Sequence, residues 1–168
     1  MREWVPVPGS AKARLVEAAL HYFERDGFDV VNVAELAAKA GVTTGALYHH
    51  FGSKFGLYTL VRTDLEKRIT DRMEGAAAAA GAGRPAIRAA LLVAFDAAVR
   101  FDACRLLGEP PSRDRPDPVG KLVRRLLPRR QEPAAAVLVA AWRAALLAAA
   151  DGEPAAAARS GLAYVLEG

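Results

Sequence analysis

The side chains best able to do chemistry in this 168-residue chain gather between Asn32 and Lys54. They are a carboxamide (Asn32), two adjacent hydroxyls (Thr43, Thr44), a phenol (Tyr48), two imidazoles (His49, His50) and an ammonium (Lys54). As a catalytic set they are incomplete, because no paired carboxylates, nucleophile–base spacing or phosphate loop accompanies them. The two histidines are neighbours, so on a helix they face different directions. No third ligand stands near, and neither a metal site nor a cofactor is expected. The set suits contact with a polyanion instead. Hydroxyls, amides and a phenol can donate to phosphate oxygens, and the methyls of threonine and of Ala46 can meet the thymine methyl.

Such residues need a scaffold that offers them together. Segment 32–51, NVAELAAKAGVTTGALYHHF, has the anatomy of a helix-turn-helix. Asn32 is placed to cap the first short helix, with Glu35 three residues on as a capping-box partner. Ala37 and Ala38 are small enough for close helix approach. Gly41 suits the turn, and Val42 and Leu47 are expected to pin the second helix to the core. That helix, from Thr43 or Thr44 to about His50, would offer its first turn to a DNA major groove.

Other elements follow from periodicity. Ser10 caps a helix over about 10–26 with Leu15, Ala19 and Phe23 inward, ending at Gly27. Ser53 caps a fourth helix whose apolar row is Leu57, Val61, Leu65, Ile69 and Met73; it fades within 75–84, where glycines accumulate. Pro85 opens a fifth, residues 108–118 form a proline-rich loop, and a basic helix covers 119–130. Two apolar helices close the chain, over about 133–150 and 154–166. Residues 1–9 read as a loose arm, since Pro6, Pro8 and Gly9 resist helix. The expected fold is all-α: a three-helix DNA-binding unit (9–69) joined through a long fourth helix to a helical dimerisation and effector unit (70–168).

Bulk charge does not point to the site. Residues 1–62 hold seven Lys or Arg (Arg2, Lys12, Arg14, Arg25, Lys39, Lys54, Arg62) against six Asp or Glu, and the whole chain carries +4. The single cysteine, Cys104, excludes an intrachain disulfide. The run at 134–150 is shorter than the roughly 20 residues of a membrane span and contains Arg143. The N-terminal residues lack the apolar run of a secretory signal, so a cytoplasmic location and no membrane partner are expected.

Residues RLVEAALHYFERDGF (14–28) and NVAELAAKAGVTTGALYHHFGSKFGLYTLV (32–61) together resemble the DNA-binding domain of the TetR family. The most specific elements are Phe23 with Gly27-Phe28, the Ala40-Gly41-Val42 turn, Gly45 through Phe51, and Ser53-Lys54. The resemblance covers about 10–62. It implies a homodimeric transcriptional regulator, usually a repressor, on double-stranded operator DNA, and no enzyme activity. The DNA contacts it implies fall on Asn32, Thr43, Thr44, Gly45, Ala46, Tyr48, His49 and Lys54, with Tyr48 and Lys54 on phosphates. Many relatives carry a basic residue at Thr44 and often at Ala34, and an acidic one at Phe55. The DNA face here is correspondingly less cationic, leaving more to Lys12, Arg14, Lys54 and helix N-termini.

The same resemblance implies pairing through the last two helices, with Val137, Leu138, Ala141, Ala145, Ala158, Leu162 and Val165 at the interface. Two reading heads would then lie about 34 Å apart, one turn of DNA. It further implies a small, apolar effector in the C-terminal core, with Phe95, Val99, Cys104, Leu107, Trp142 and Arg143 as lining. The alternative is a dimeric regulator without an effector, controlled by its level or by a protein partner. The basic run Lys121, Arg124, Arg125, Arg129 and Arg130 reads as a solvated helix face rather than a second nucleic-acid patch.

Overall fold

The computed structural model describes residues 8–112 and 114–167; most of the expected N-terminal arm lies outside them. The protein is all-α, and every regular element among the described residues is helical. The elements are α1 (Ala11–Asp26), α2 (Val33–Lys39), α3 (Thr44–Phe51), α4 (Lys54–Ala80), α5 (Arg84–Arg100), α6 (Cys104–Gly108), α7 (Pro118–Leu126), α8 (Ala134–Ala150) and α9 (Ala155–Glu167), with a 3-10 turn at Arg129–Gln131. The chain divides into two compact units between Thr63 and Asp64, inside α4. This lies several residues before the expected boundary at 69.

In the first unit, Ser10 accepts the Ala13 N–H at 3.1 Å and starts α1. Leu15, Ala18, Ala19 and Phe23 form its buried stripe. They meet Leu36 and Ala37 of α2, Leu47 of α3, and Leu57, Tyr58 and Val61 of α4 in one core. Phe23, Phe28 and Tyr58 are clustered, with ring centroids 4.9–6.0 Å apart. Such tilted and edge-on pairs add to the area they bury. Ala38, expected at the helix crossing, is exposed, and Ala40 is buried in its place.

The second unit packs α5 to α9 and the rest of α4 around Phe95, Leu106, Leu107 and the fully buried Trp142. Asp117 accepts the Gly120 N–H at 3.0 Å to cap α7, while its other oxygen accepts from Arg143 at 2.8 Å. Asp96 takes the Arg159 guanidinium in a two-pronged pair at 2.6 and 2.9 Å, tying α9 to α5. Hydrogen bonding by Asp96 raises the guanidinium pKa above its ordinary value.

The fourth helix ends within 75–84 as expected, whereas two other element expectations need correction. The fourth helix runs through the alanines to Ala80 and stops at Gly81, with φ +97°. The basic helix ends at Leu126, because Pro128 cannot continue it, and residues 129–131 form the 3-10 turn. A short helix, α6, arises where none was expected. Asp102, at φ 51°, turns the chain after α5 and starts it; aspartate tolerates that left-handed conformation better than most residues.

Candidate nucleic-acid interface

Helix α3 is held by few groups, each identifiable. Leu47 anchors it in the core at 0% exposure. Gly41 turns the chain at φ +64°, where a side chain would be strained, and Val42 N–H closes the turn onto Ala37 O at 3.0 Å. Thr43 Oγ1 accepts the Ala46 N–H at 3.2 Å and caps the helix. At the other end, a Cβ on Gly56 would fall well inside contact distance of the Phe51 carbonyl oxygen. The start of α4 therefore packs directly on the end of α3, a role for Gly56 that periodicity alone did not reveal. Ser53 Oγ accepts Gly56 N–H at 2.9 Å in that same turn.

What α3 leaves outward is a compact polar face. Thr43, Thr44, Gly45, Tyr48 and His49 are exposed, and Ala46 is half-buried. Thr44 and Tyr48 are one turn apart on the same side. Thr43 uses an oxygen lone pair for the cap, which leaves its hydroxyl proton available to an outside acceptor. Tyr48 is 50% exposed, a large aromatic held out of the core. Asn32 caps α2 by accepting Ala34 N–H at 2.8 Å. Glu35 lies exposed, and the cap is that of Asn32 alone. His50 is also exposed, and no group of metal-ligating side chains occurs among the described residues.

The cations are arranged differently from expectation. Lys54 Nζ donates to the carbonyls of Phe28 (2.8 Å), Val31 (3.1 Å) and Asp29 (3.3 Å), and lies 4.5 Å from the centre of the Phe28 ring. An ammonium has three protons, and all three are engaged within the protein. Arg14 is tethered likewise, to Ala40 O at 2.8 Å and Gly9 O at 2.7 Å. Both side chains hold loops that frame α2 and α3, rather than reaching outward as free charges.

Residues 15–61 match the family model described as bacterial regulatory proteins, tetR family. The N-terminal unit is thus similar to a TetR-family domain. Its sequence is similar to HTH-type transcriptional regulator BetI of Vibrio parahaemolyticus, 28% identical over 71 residues, 42% of this chain and 36% of that protein. It is also similar to the HTH-type transcriptional regulatory protein RaaS of Mycobacterium tuberculosis, 48% identical over 48 residues, 29% of this chain and 22% of that one. The chain thus spans about a third or less of the length of these curated relatives. A TetR-like transcriptional regulator from Rhodococcus sp. RHA1 shares the fold over 98% of this chain and 97% of its own, with TM-score 0.72 and 23% identity. The TetR-type resemblance by sequence is therefore concentrated on the helix-turn-helix, whereas the likeness in fold extends through α9.

In the second unit, Phe95, Cys104, Leu107 and Trp142 are buried, Val99 is exposed, and Arg143 is half-buried beside Asp117. Of the residues expected to pair two subunits, Val137 and Val165 are exposed, and Leu138 and Ala141 half-buried. Ala145, Ala158 and Leu162 lie inside the chain's own core. No helix among the described residues is long and apolar enough to cross a membrane.

Proposed function

We propose that the protein is a dimeric transcriptional regulator that reads operator DNA with the first turn of α3. The observation that carries this reading is the outward face of Thr43, Thr44, Gly45 and Tyr48. Gly45 is the telling residue. A Cβ there would meet only Thr43 Oγ1, at an ordinary 3.7 Å, so internal packing does not demand glycine. The open space suits a phosphate or base edge brought close to the backbone. Thr43 and Tyr48 donate to phosphates, Thr44 and Ala46 meet base edges, and Asn32 orders the N–H groups of α2 toward the backbone. Lys54 acts chiefly by holding the loop at 28–31.

Selection from random duplexes should return a near-palindromic site with half-sites about one helical turn apart. Gly45→Ala should leave the melting temperature equal or slightly higher, since alanine favours helix by up to about 1 kcal/mol, yet weaken that operator at least about tenfold. Retained affinity would remove the close approach at this position. Tyr48→Phe should cost about tenfold on every sequence alike, as loss of one hydrogen bond to a charged group does. A loss confined to one base pair would instead make it a sequence reader.

Repression relieved by an effector is the finer part of this proposal. Its support is that Trp142 Nε1 and Arg143 Nε are buried donors with no hydrogen-bond partner. Leaving such a group unmet costs about 1–3 kcal/mol, which an acceptor on a small molecule would relieve. The effector must favour one of two states of the protein to change DNA affinity. Thermal-shift screening against metabolites tests this, because a ligand selective for the fold raises its melting temperature. No hit, with operator binding intact, favours control by level or by a protein partner.

A further inference from the structure

The second unit also carries a cleft that DNA reading leaves without a role. It has a volume of about 390 Å³ and is built by α5, the segment following α7, α8 and α9. Ile87 and Leu166 form a buried floor, and Leu127 and Leu138 half-buried walls. Two guanidiniums, Arg84 and Arg88, line the same cleft. Both also border an adjoining hollow of about 470 Å³ with Pro85, Ala89 and the carboxylate of Glu167, so they stand on the ridge between two depressions. Arg88 donates to Glu167 at 3.0 Å, whereas Arg84 has no ion-pair partner among the described residues. Gln131 completes the lining, and the stretch 118–131 to which it belongs carries five Lys or Arg and no Asp or Glu.

We propose that this cleft binds a small amphipathic anion. Arg84 takes a single carboxylate or phosphate head through its planar fork of donors, Arg88 assists, and the apolar body lies on Ile87, Leu127, Leu138 and Leu166. The volume falls in the range of small-molecule sites, which are mostly apolar with a few polar groups fixing orientation. The charge of Arg84, which no carboxylate pairs among the described residues, favours anions over neutral molecules at the mouth. Trp142 and Arg143 are not among the lining residues, so this site is separate from the core donors considered above. Leu138 and Val165 line the cleft and also border the exposed α8–α9 surface. Occupancy would therefore be linked to pairing, a consequence that rests on the dimer reading, whereas binding itself does not.

The test is calorimetric titration and thermal shift on the full chain with decanoate, decyl phosphate and the neutral decanol. Decanoate or decyl phosphate should bind saturably below its micellar range and raise the melting temperature; the tighter of the two identifies the head group as acid or phosphate ester. Decanol should bind at least about tenfold more weakly, the worth of a hydrogen bond to a charged group. Arg84→Gln alters an exposed side chain; it should weaken both anions about tenfold, leave decanol unchanged, and preserve operator affinity without ligand. Equal binding of decanoate and decanol, uptake without saturation, or unchanged anion affinity in Arg84→Gln would overturn the proposal. Failure of the wild-type chain to bind any operator would sink the DNA reading alone and leave this titration standing.

Discussion

Gly56→Ala is expected to lower the melting temperature by several degrees and to reduce operator affinity further than the lost stability explains. The added Cβ meets a backbone oxygen, that of Phe51, with the carbonyl carbon only 3.3 Å away. A backbone group cannot rotate aside as the tip of a side chain can. Either the end of α3 moves or the first turn of α4 opens. Overpacking of this kind costs about 1–3 kcal/mol, against a gain of at most about 1 kcal/mol from replacing a helical glycine. At about 4–8 °C per kcal/mol for a small domain, the net loss is readable in a thermal melt followed by circular dichroism. Gly75→Ala, in the same helix, is the contrast. Nothing lies within 4 Å of its added methyl, so it should stabilise by about 0.5–1 kcal/mol. If both variants melt together and bind operator equally, α3 does not depend on its close seat against α4.

Val137→Glu is expected to leave the monomer folded and abolish pairing. Val137 is 67% exposed, Tyr164 81% and Val165 49%, and Ala140, Ala144, Ala157 and Gly161 are exposed with them on α8 and α9. An apolar face of this kind marks an interaction surface. In a twofold dimer the substitution occurs twice, and each buried, unpaired carboxylate costs several kcal/mol. The dimer dissociation constant should rise by more than about a hundredfold, and sedimentation velocity should find monomers. Leu162→Asp should behave differently, because Leu162 is only 2% exposed within its own chain. It should lose the fold itself. A Val137→Glu protein that remains dimeric would place the pairing face elsewhere.

How far the sequence revealed this molecule depended on which interactions are local. Caps at Ser10, Asn32 and Ser53 could be read directly, because a cap and its helix adjoin in the chain. The inward rows of α1 and α4 were legible for the same reason. The polar face of α3 was legible through residue type and family resemblance together. What escaped depended on residues distant in sequence. Lys54 looked like a cation for phosphate, yet its partners are carbonyls 23 to 26 positions earlier. Arg14 likewise reaches Ala40. The apolar rows of α8 and α9 did not disclose which side faces inward, because α8 is apolar nearly all round and α9 carries few polar residues. Ala145, Ala158 and Leu162 were therefore grouped with Val137 and Val165, although they are covered by their own chain. Helix α6 escaped because a single aspartate at positive φ starts it.

The tethering of Arg14 and Lys54 bears on how such a regulator would behave under osmotic stress. Each phosphate neutralised by a cation adds about 0.9 to the slope of log affinity against log salt. A head that approaches the backbone with hydroxyls, a phenol and helix N–H groups displaces few condensed ions. Its grip on the operator would change little as potassium concentration climbs, in conditions that would detach a lysine-rich competitor. Two cations turned inward to hold loops would thus make operator occupancy depend less on the ionic strength around the protein.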